Sequence, residues 1–97
     1  MITRVVKMTF KPGNASEFKD VFNRSKTYIR HFEGCIHLSL LESQTEPGVF
    51  FTYSKWENQT CLEKYRQSEL FKSTWAQTKV LFEKPAEAWT CLEEIIP

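Results

Sequence analysis

The stretch CIHLSLLESQTEPGVFFTYSKW, residues 35–56, carries the pattern that decides the fold. Residues 35–43 alternate with period two, which predicts a β-strand. Val49–Trp56 predicts a second strand, which has large rings on both of its sides. The polar residues 44–48 have the length of a hairpin connection, so the two strands are expected to pair. In the first strand, one side is predicted to carry Ile36, Leu38 and Leu40, and the other Cys35, His37 and Ser39.

An amphipathic helix is predicted before this hairpin. Asn14 and Glu17 have the spacing at which a capping side chain and a carboxylate together satisfy the free N–H groups of a helix start. Gly34 is expected to close the segment. Apolar residues recur between these positions at helical spacing, and they are Phe18, Val21, Phe22, Ile29 and Phe32. The helix is therefore expected to bury one face.

A second helical region is predicted after the hairpin. Residues 57–60 begin it, and Ser68 is expected to start a new turn within it because serine caps helix N-termini. Lys84 and Pro85 are expected to end it, since the residue before a proline is disfavoured in a helix. One face of its later part carries Phe71, Trp75, Thr78 and Phe82.

A strand is predicted at each end of the chain. Residues 2–10 place Ile2, Val6, Met8 and Phe10 on one side, and residues 86–95 alternate in the same way. The order of elements is therefore βαββαβ. This order folds into a four-stranded antiparallel sheet with the helices on one face, a ferredoxin-like α+β fold. Residues 1–97 are expected to form a single domain.

The sheet face away from the helices is expected to carry large side chains as well. Each such side chain left in water forgoes roughly 1.5–3 kcal/mol of burial. Packing this face against the same face of a second copy removes the cost, and twofold pairing is the commonest form of oligomer. The pattern therefore predicts a homodimer with its sheets face to face, a dimeric α+β barrel.

The charges and cysteines exclude several classes of protein. Lys and Arg number 13 against 12 Asp and Glu, with no basic run, so neither nucleic acid nor a membrane surface is indicated as a partner. The three cysteines have no metal-ligand spacing, and the three glycines form no dinucleotide-binding loop, so neither metal nor cofactor is expected. An odd number of cysteines without a signal peptide predicts free thiols in the cytoplasm.

Aromatic residues are abundant, with eight Phe, three Tyr and three Trp. Rings in this number either fill a core or surround a pocket for a flat apolar molecule. Composition alone leaves both interpretations open.

Five short motifs occur in a characteristic order along the chain: Phe32–Cys35, Leu40–Ser43, Tyr53–Asn58, Cys61–Tyr65 and Ser68–Phe71. As an ordered set they resemble the antibiotic biosynthesis monooxygenase superfamily of dimeric α+β barrels. The resemblance implies a pocket between the sheet and the helices of each subunit. In known members that pocket holds polycyclic phenols, quinones or haem. A substrate carbanion held there can pass an electron to oxygen directly, so the resemblance implies no cofactor.

The haem-degrading branch of the superfamily is disfavoured by three positions. That branch uses an Asn on its first strand, a Trp on its second helix and a His further along. The corresponding positions here fall near Val6, Tyr65 and Trp75, and none matches. The only histidines, His31 and His37, lie elsewhere, so haem would have no axial ligand on that helix.

Two kinds of residue are candidates for the site. His37 is the candidate general base, because histidine titrates near neutral pH, and Tyr65 is the other candidate catalytic group. Tyr53 is a candidate hydrogen-bond donor to a ligand oxygen. The alternative for His37 is a satisfied histidine in the core or in a subunit interface.

Ring stacking provides the remaining candidates. Trp56, Phe71 and Trp75 could bind a flat ligand, although rings at helical spacing are also typical of plain core. Arg4 lies on an otherwise apolar strand side, where it could pair with a carboxylate, an anionic substrate or a Glu of a partner subunit, and an ion pair is the preferred interpretation.

Three functional hypotheses follow. The first is a cofactor-independent monooxygenase acting on a flat aromatic or quinone-like molecule. The alternative is a non-catalytic domain of the same fold that binds such a molecule, and the third is a barrel kept for assembly only. A titratable group in contact with the pocket distinguishes the first from the second.

Overall fold

The computed structural model describes residues 1–97 and contains seven elements. They are β1 (Ile2–Phe10), α1 (Ala15–Arg30), β2 (Cys35–Glu42), β3 (Val49–Trp56), α2 (Gln59–Arg66), α3 (Glu69–Lys79) and β4 (Phe82–Leu92). The strands form one antiparallel sheet in the order β2-β3-β1-β4, and the helices cover one of its faces. The predicted ferredoxin-like α+β fold is confirmed. None of the helices combines the length and the apolar character needed to cross a membrane.

The second helical region is divided into α2 and α3, as the serine at position 68 predicts. The Ser68 hydroxyl accepts a hydrogen bond from the Phe71 N–H at 3.1 Å, which caps α3. Asn58 caps α2 in the same way, accepting from the Cys61 N–H at 2.9 Å. Two capped starts separated by a short break turn the chain, so the rings of α2 and α3 face one cavity.

The predicted side-chain cap of α1 is wrong. Asn14 has φ −90° and ψ −12°, close to helical values, rather than the extended conformation usual for a capping residue. Its side chain makes no capping bond, and Nδ2 donates instead to the Leu81 carbonyl at 3.3 Å. Asn14 therefore joins the start of α1 to the segment that leads into β4.

The predicted end of the second helical region is also wrong. α3 ends at Lys79, and β4 begins at Phe82 and runs through Pro85. The proline is tolerated because β4 is an edge strand. β4 also has one extra residue at this point, between the pairs formed by Lys7 with Glu87 and Thr9 with Lys84.

An extra residue in β2 changes the predicted alternation. Cys35 pairs with Trp56, and His37 pairs with the next residue of β3, Lys55, so Ile36 is bulged out. Cys35 consequently packs on the helix side with Trp56, whereas it was predicted to lie on the same side as His37. Beyond the bulge, Leu38 and His37 lie on opposite sides as predicted, and Leu38 is the one that faces the helices.

The buried side chains form two clusters on the helix face of the sheet. The larger contains Met8, Phe10, Phe18, Phe22, Phe50 and Leu81, and the smaller contains Cys35, Trp56 and Leu62. Gly34 allows the smaller cluster to close, because a Cβ on this residue would lie 2.5 Å from the Cys61 Cβ and Sγ atoms. Its φ of +83° also favours glycine.

The opposite face of the sheet has no helix over it, and it mixes rings with charges. Val5 pairs with Tyr53 and Trp89 there, and Phe51 lies beside them. A polar network that the sequence did not predict lies among these rings. The Tyr53 hydroxyl donates to Glu93, Lys55 Nζ lies 2.9 Å from Glu93 Oε2, and the His37 ring centroid lies 5.7 Å from that of Tyr53.

Candidate functional site

A cavity of about 280 Å³ separates the two buried clusters, between the sheet and the helices. Its volume is slightly below the usual range of small-molecule sites, roughly 300–1,000 Å³. Thirteen of its nineteen lining residues are hydrophobic, so it suits a mainly apolar ligand. The lining consists of Arg4, Val6, Met8, Phe18, Phe22, Ile29, Leu38, Thr52, Ser54, Trp56, Leu62, Tyr65, Arg66, Phe71, Thr74, Trp75, Thr78, Ala86 and Ala88.

Small side chains on the sheet explain why this space remains. β3 contributes Thr52 and Ser54 to the lining, and β4 contributes Ala86 and Ala88. Large residues at these positions would join the two buried clusters into one core. The cavity therefore arises from the choice of side-chain size on two strands.

One wall of the cavity is a row of rings on α2 and α3. Tyr65 stacks on Trp56, with centroids 4.9 Å apart and an interplanar angle of 23°. Phe71 meets the Tyr65 ring edge-on at 5.3 Å and is parallel to Trp75 within 10° at 5.9 Å. The structure thus brings four of the predicted site residues together: Trp56, Tyr65, Phe71 and Trp75.

The four rings differ in how much of them a ligand could touch. Trp56 is 0% exposed, and its Nε1 donates to the Ser54 hydroxyl at 3.0 Å, so it belongs mainly to the core. Tyr65, Phe71 and Trp75 are half-buried and line the same cavity. These three rings, called the ring wall below, are the part of the site best placed to stack on a flat ligand.

The hydroxyl of Tyr65 is the neutral polar group of the ring wall. Burial raises the pKa of Tyr65, and the neighbouring Cys35 acts in the same direction. The side chain therefore remains protonated at physiological pH and can donate a hydrogen bond, but it cannot serve as a base. By contrast, the hydroxyls of Thr74 and Thr78 are occupied, donating to Ser25 Oγ at 3.3 Å and to the Thr74 carbonyl at 2.7 Å.

Arg4 and Arg66 are the charged residues of the lining. Arg4 Nη1 donates to Thr90 Oγ1 at 2.8 Å, and the ion pairs of the structure do not include Arg4. Within the chain, Arg4 therefore has no ion-pair partner. Burial and the nearby Arg66 charge lower the pKa of Arg4, while Glu63 opposes them.

His37 and Tyr53 do not lie in this cavity. Beyond the β2 bulge, His37 pairs with Lys55 and points to the open face, where Tyr53 also lies. The His37 Nε2 atom lies 3.2 Å from Ser39 Oγ on that same face. The structure therefore places His37 and Tyr53 on the opposite side of the sheet from the pocket in which they were predicted to act.

The sequence did not predict that Arg4 and Arg66 line the same cavity. The two residues are far apart in the chain, on β1 and α2, and only the folded sheet brings them to one cavity. The local signal was a lone charge on the apolar side of the first strand. No group of three or more His, Cys, Asp or Glu side chains is placed to hold a metal ion.

Comparisons with known proteins agree on a family and a fold. A family model described as antibiotic biosynthesis monooxygenase matches residues 1–77. An uncharacterized protein of Synechocystis sp., sll1783, is 32% identical over 80 residues, which are 79% of this chain and 52% of that protein. The chain thus spans about half the length of this relative.

Solved structures show the same fold at low identity. A conserved protein from Methanosarcina mazei Go1 superposes with a TM-score of 0.90 at 21% identity, covering 97% of this chain and 94% of that one. Rv0793 from Mycobacterium tuberculosis gives 0.88 at 18% identity, with 98% and 96% covered. A structure described as an antibiotic biosynthesis monooxygenase gives 0.88 at 15% identity, with 100% of both chains covered.

Proposed function

The chain belongs to the antibiotic biosynthesis monooxygenase family. We propose that its cavity binds a flat aromatic or quinone-like molecule. We also propose that the protein oxidises a phenolic molecule of this kind with molecular oxygen, without a cofactor. The observation that carries the proposal is the ring wall of Tyr65, Phe71 and Trp75 along an apolar cavity of about 280 Å³. Such rings stack on planar ligands and exclude water from them.

The proposed reaction needs no group beyond the substrate and oxygen. A phenolic substrate with an acidic CH₂ carbon loses a proton to solvent and becomes a carbanion. The carbanion gives one electron to oxygen, and the resulting radical pair forms a C–O bond. After protonation this hydroperoxide loses water and leaves a ketone. One oxygen atom enters the substrate and the other leaves as water, so no external reductant is consumed.

The protein contributes position and environment to this chemistry. Tyr65, kept neutral by burial, donates to the substrate oxygen that carries the negative charge. The ring wall fixes the plane of the substrate, and Val6 and Met8 close the cavity from the sheet side. These apolar surroundings strengthen the hydrogen bond to the developing anion because water cannot compete for it.

A second function, binding without catalysis, is favoured by one observation. The lining of the cavity contains neither a histidine nor a carboxylate, so no side chain there can take the substrate proton. Only a substrate acidic enough to lose its proton to water would then react. The two functions therefore differ in oxygen uptake and not in ligand binding.

Oxidation of anthrone, a flat molecule with an acidic CH₂ carbon, separates the two functions. The purified protein is incubated with anthrone under ¹⁸O₂, with oxygen uptake and product mass recorded. The monooxygenase proposal predicts uptake above the buffer rate and a ketone that contains one ¹⁸O atom. Trp75→Ala, which removes a third of the ring wall, should abolish the excess rate, and the exposed Tyr28→Phe should not.

The remaining outcomes decide between the functions. Binding of anthrone, measured by tryptophan fluorescence, without excess uptake would favour the non-catalytic function. Failure of anthrone and of 1,4-naphthoquinone to bind at all would contradict both functions. Trp75→Phe keeps a ring and most of the volume, so it should retain binding if stacking is the main contact.

We also propose that the protein acts as a homodimer that buries the open face of the sheet. Trp89 is 46% exposed and Leu41 is 51% exposed on that face, beside the rings of Phe51 and Tyr53. A sheet face with this much apolar surface is stabilised when a second copy covers it. The cluster of Tyr53, Lys55 and Glu93 would then lie within the interface.

A further inference from the structure

The cavity has two charged residues, and both are positive. Arg4 projects from β1 on the same side as Val6 and Met8, toward the helices. Arg66 is the last residue of α2 and follows Tyr65 of the ring wall directly. The cavity therefore has an apolar body along the ring wall and a cationic part formed by a strand and a helix end.

The two arginines have fewer carboxylate partners than positive charges. Glu63 Oε1 lies 3.3 Å from Arg66 Nη1, and the same oxygen accepts a hydrogen bond from Gln59 Nε2 at 3.1 Å. Arg4 has no carboxylate partner, and its hydrogen bond goes to the neutral Thr90 hydroxyl. One partly exposed carboxylate thus stands near two guanidinium groups, and burial of Arg4 together with the charge of Arg66 lowers the pKa of Arg4.

We infer that the ligand of this cavity is an aromatic carboxylate, whose ring system lies against the ring wall and whose carboxylate is held by Arg4 and Arg66. The inference rests on the proposed function, because it takes the ring wall as the site of the aromatic body. A guanidinium group has five N–H donors, so Arg4 keeps several free after its bond to Thr90. Planar guanidinium and carboxylate groups match each other in bidentate geometry.

Two features favour a carboxylate over a neutral oxygen at this position. A neutral ketone or phenol already has a donor in Tyr65, and it would leave the two positive charges unrelieved. An anion compensates both arginines at once, and the apolar lining around it strengthens the attraction. The arginines would then select the substrate, while the ring wall orients it.

Matched ligands test this inference. The acid is 1-hydroxy-2-naphthoate, and the neutral control is 1-hydroxy-2-naphthamide, which has the same rings and nearly the same shape. Binding of each to the full chain is measured by titration calorimetry at low and high salt. The protein should bind the acid roughly tenfold or more tightly than the amide, since charge-assisted hydrogen bonds are stronger than neutral ones. Added salt should reduce that preference.

Variants locate the preference. Arg4→Gln and Arg66→Gln should each lower the acid-to-amide preference several-fold and leave the amide affinity within about threefold. Lys64→Gln, an exposed cation of α2 that does not line the cavity, should leave the preference unchanged. Arg66 is exposed, so its replacement leaves the folded core intact even if Arg4→Gln disturbs the sheet.

The outcomes distinguish this inference from the proposed function. Equal affinity for acid and amide in the unmodified protein would overturn the inference and leave aromatic binding standing. The inference would also be overturned if the arginine variants weakened the binding of acid and amide to the same extent, because that result would indicate that the arginines have a structural role. Binding of neither ligand, nor of 1,4-naphthoquinone, would overturn the inference together with the proposed function.

Discussion

Tyr65 packs against other rings and also carries the hydroxyl that is proposed to bind the substrate. Its ring lies between Trp56 and Phe71, at centroid distances of 4.9 and 5.3 Å. Phe32 meets the same ring at 5.5 Å, so three aromatic neighbours hold it in one orientation. A ring fixed in this way presents its hydroxyl with little loss of conformational entropy when a ligand binds.

The raised pKa of Tyr65 gives a prediction about stability at alkaline pH. Unfolding returns the phenol to its ordinary pKa of about 10, while burial keeps it protonated to higher pH in the folded protein. Above about pH 10 the folded state therefore binds more protons, and the free energy of unfolding falls as pH rises. Tyr65→Phe should consequently lose less stability than the unmodified protein between pH 9 and pH 11 in urea titrations.

A matched tyrosine provides the control for this measurement. Tyr28 is 69% exposed on α1, outside the ring wall, so Tyr28→Phe removes the same hydroxyl from a surface position. Cys35 and Tyr53, whose pKa values are also raised, are present in both variants and cancel in the comparison. An identical loss of stability in Tyr65→Phe and Tyr28→Phe would contradict the buried, neutral state of Tyr65.

The residues of the ring wall could be predicted because their positions depend on local rules. Tyr65, Phe71 and Trp75 follow from helical spacing and from the turn at Ser68. The position of His37 depends instead on which sheet face the helices cover. Alternation sets His37 opposite Leu38, but nothing local to β2 tells which of these two residues meets the helices.

At the scale of elements, the close contact between the start of β2 and α2 depends on one glycine. Gly34 precedes β2, and a Cβ there would lie 2.5 Å from two atoms of Cys61 in α2. The Gly34 carbonyl also accepts a hydrogen bond from the Glu57 N–H at 2.9 Å, just before α2. This contact holds α2, and with it Tyr65, over the sheet.

A pair of glycine variants tests the contact. Gly13 and Gly34 have φ values of +86° and +83°, but a Cβ on Gly13 would meet no atom within 4 Å. Alanine at either position has the same unfavourable φ, which costs about 1–2 kcal/mol. Gly34→Ala should therefore lower the free energy of unfolding by about 1–3 kcal/mol more than Gly13→Ala, because of the added overlap with Cys61. If denaturant titrations gave the same loss of unfolding free energy for both variants, α2 would have to move away from the added Cβ at no cost.

Element boundaries were harder to predict than element types. Phe82 continues the ring pattern of α3 in sequence, yet it is the first residue of β4. Pro85 indicates a helix end by its chemistry, whereas its place in an edge strand depends on the strand order of the sheet. Asn14 likewise has the residue type of a cap, but its side chain bonds to Leu81, a contact between distant parts of the chain.

At the scale of the whole molecule, the two faces of the sheet differ in what covers them. One face holds the cavity between its buried clusters, and the other is open and carries Trp89, Phe51 and Leu41. A second copy on the open face would stabilise the sheet without touching the cavity. Assembly and ligand binding should therefore respond to different substitutions.

Sedimentation measures the assembly. At micromolar concentration the protein should sediment at about twice the chain mass of 11.5 kDa. Trp89→Lys places a charge on the open face and should give a monomer, because an unpaired charge is costly in an apolar interface. Val80→Lys, at an exposed position between α3 and β4, should remain a dimer. A monomeric unmodified protein would contradict the proposed homodimer.

If a flat aromatic ligand lies in the cavity against the ring wall, its protons are close to those of the ring-wall side chains. Isotope-filtered NMR of the protein with 1,4-naphthoquinone should show nuclear Overhauser effects from the ligand to the Trp75 indole and to Phe71. Trp89, on the open face, should show none. Effects to Trp89 in place of Trp75, or a ligand that contacts neither, would contradict this position of the ligand.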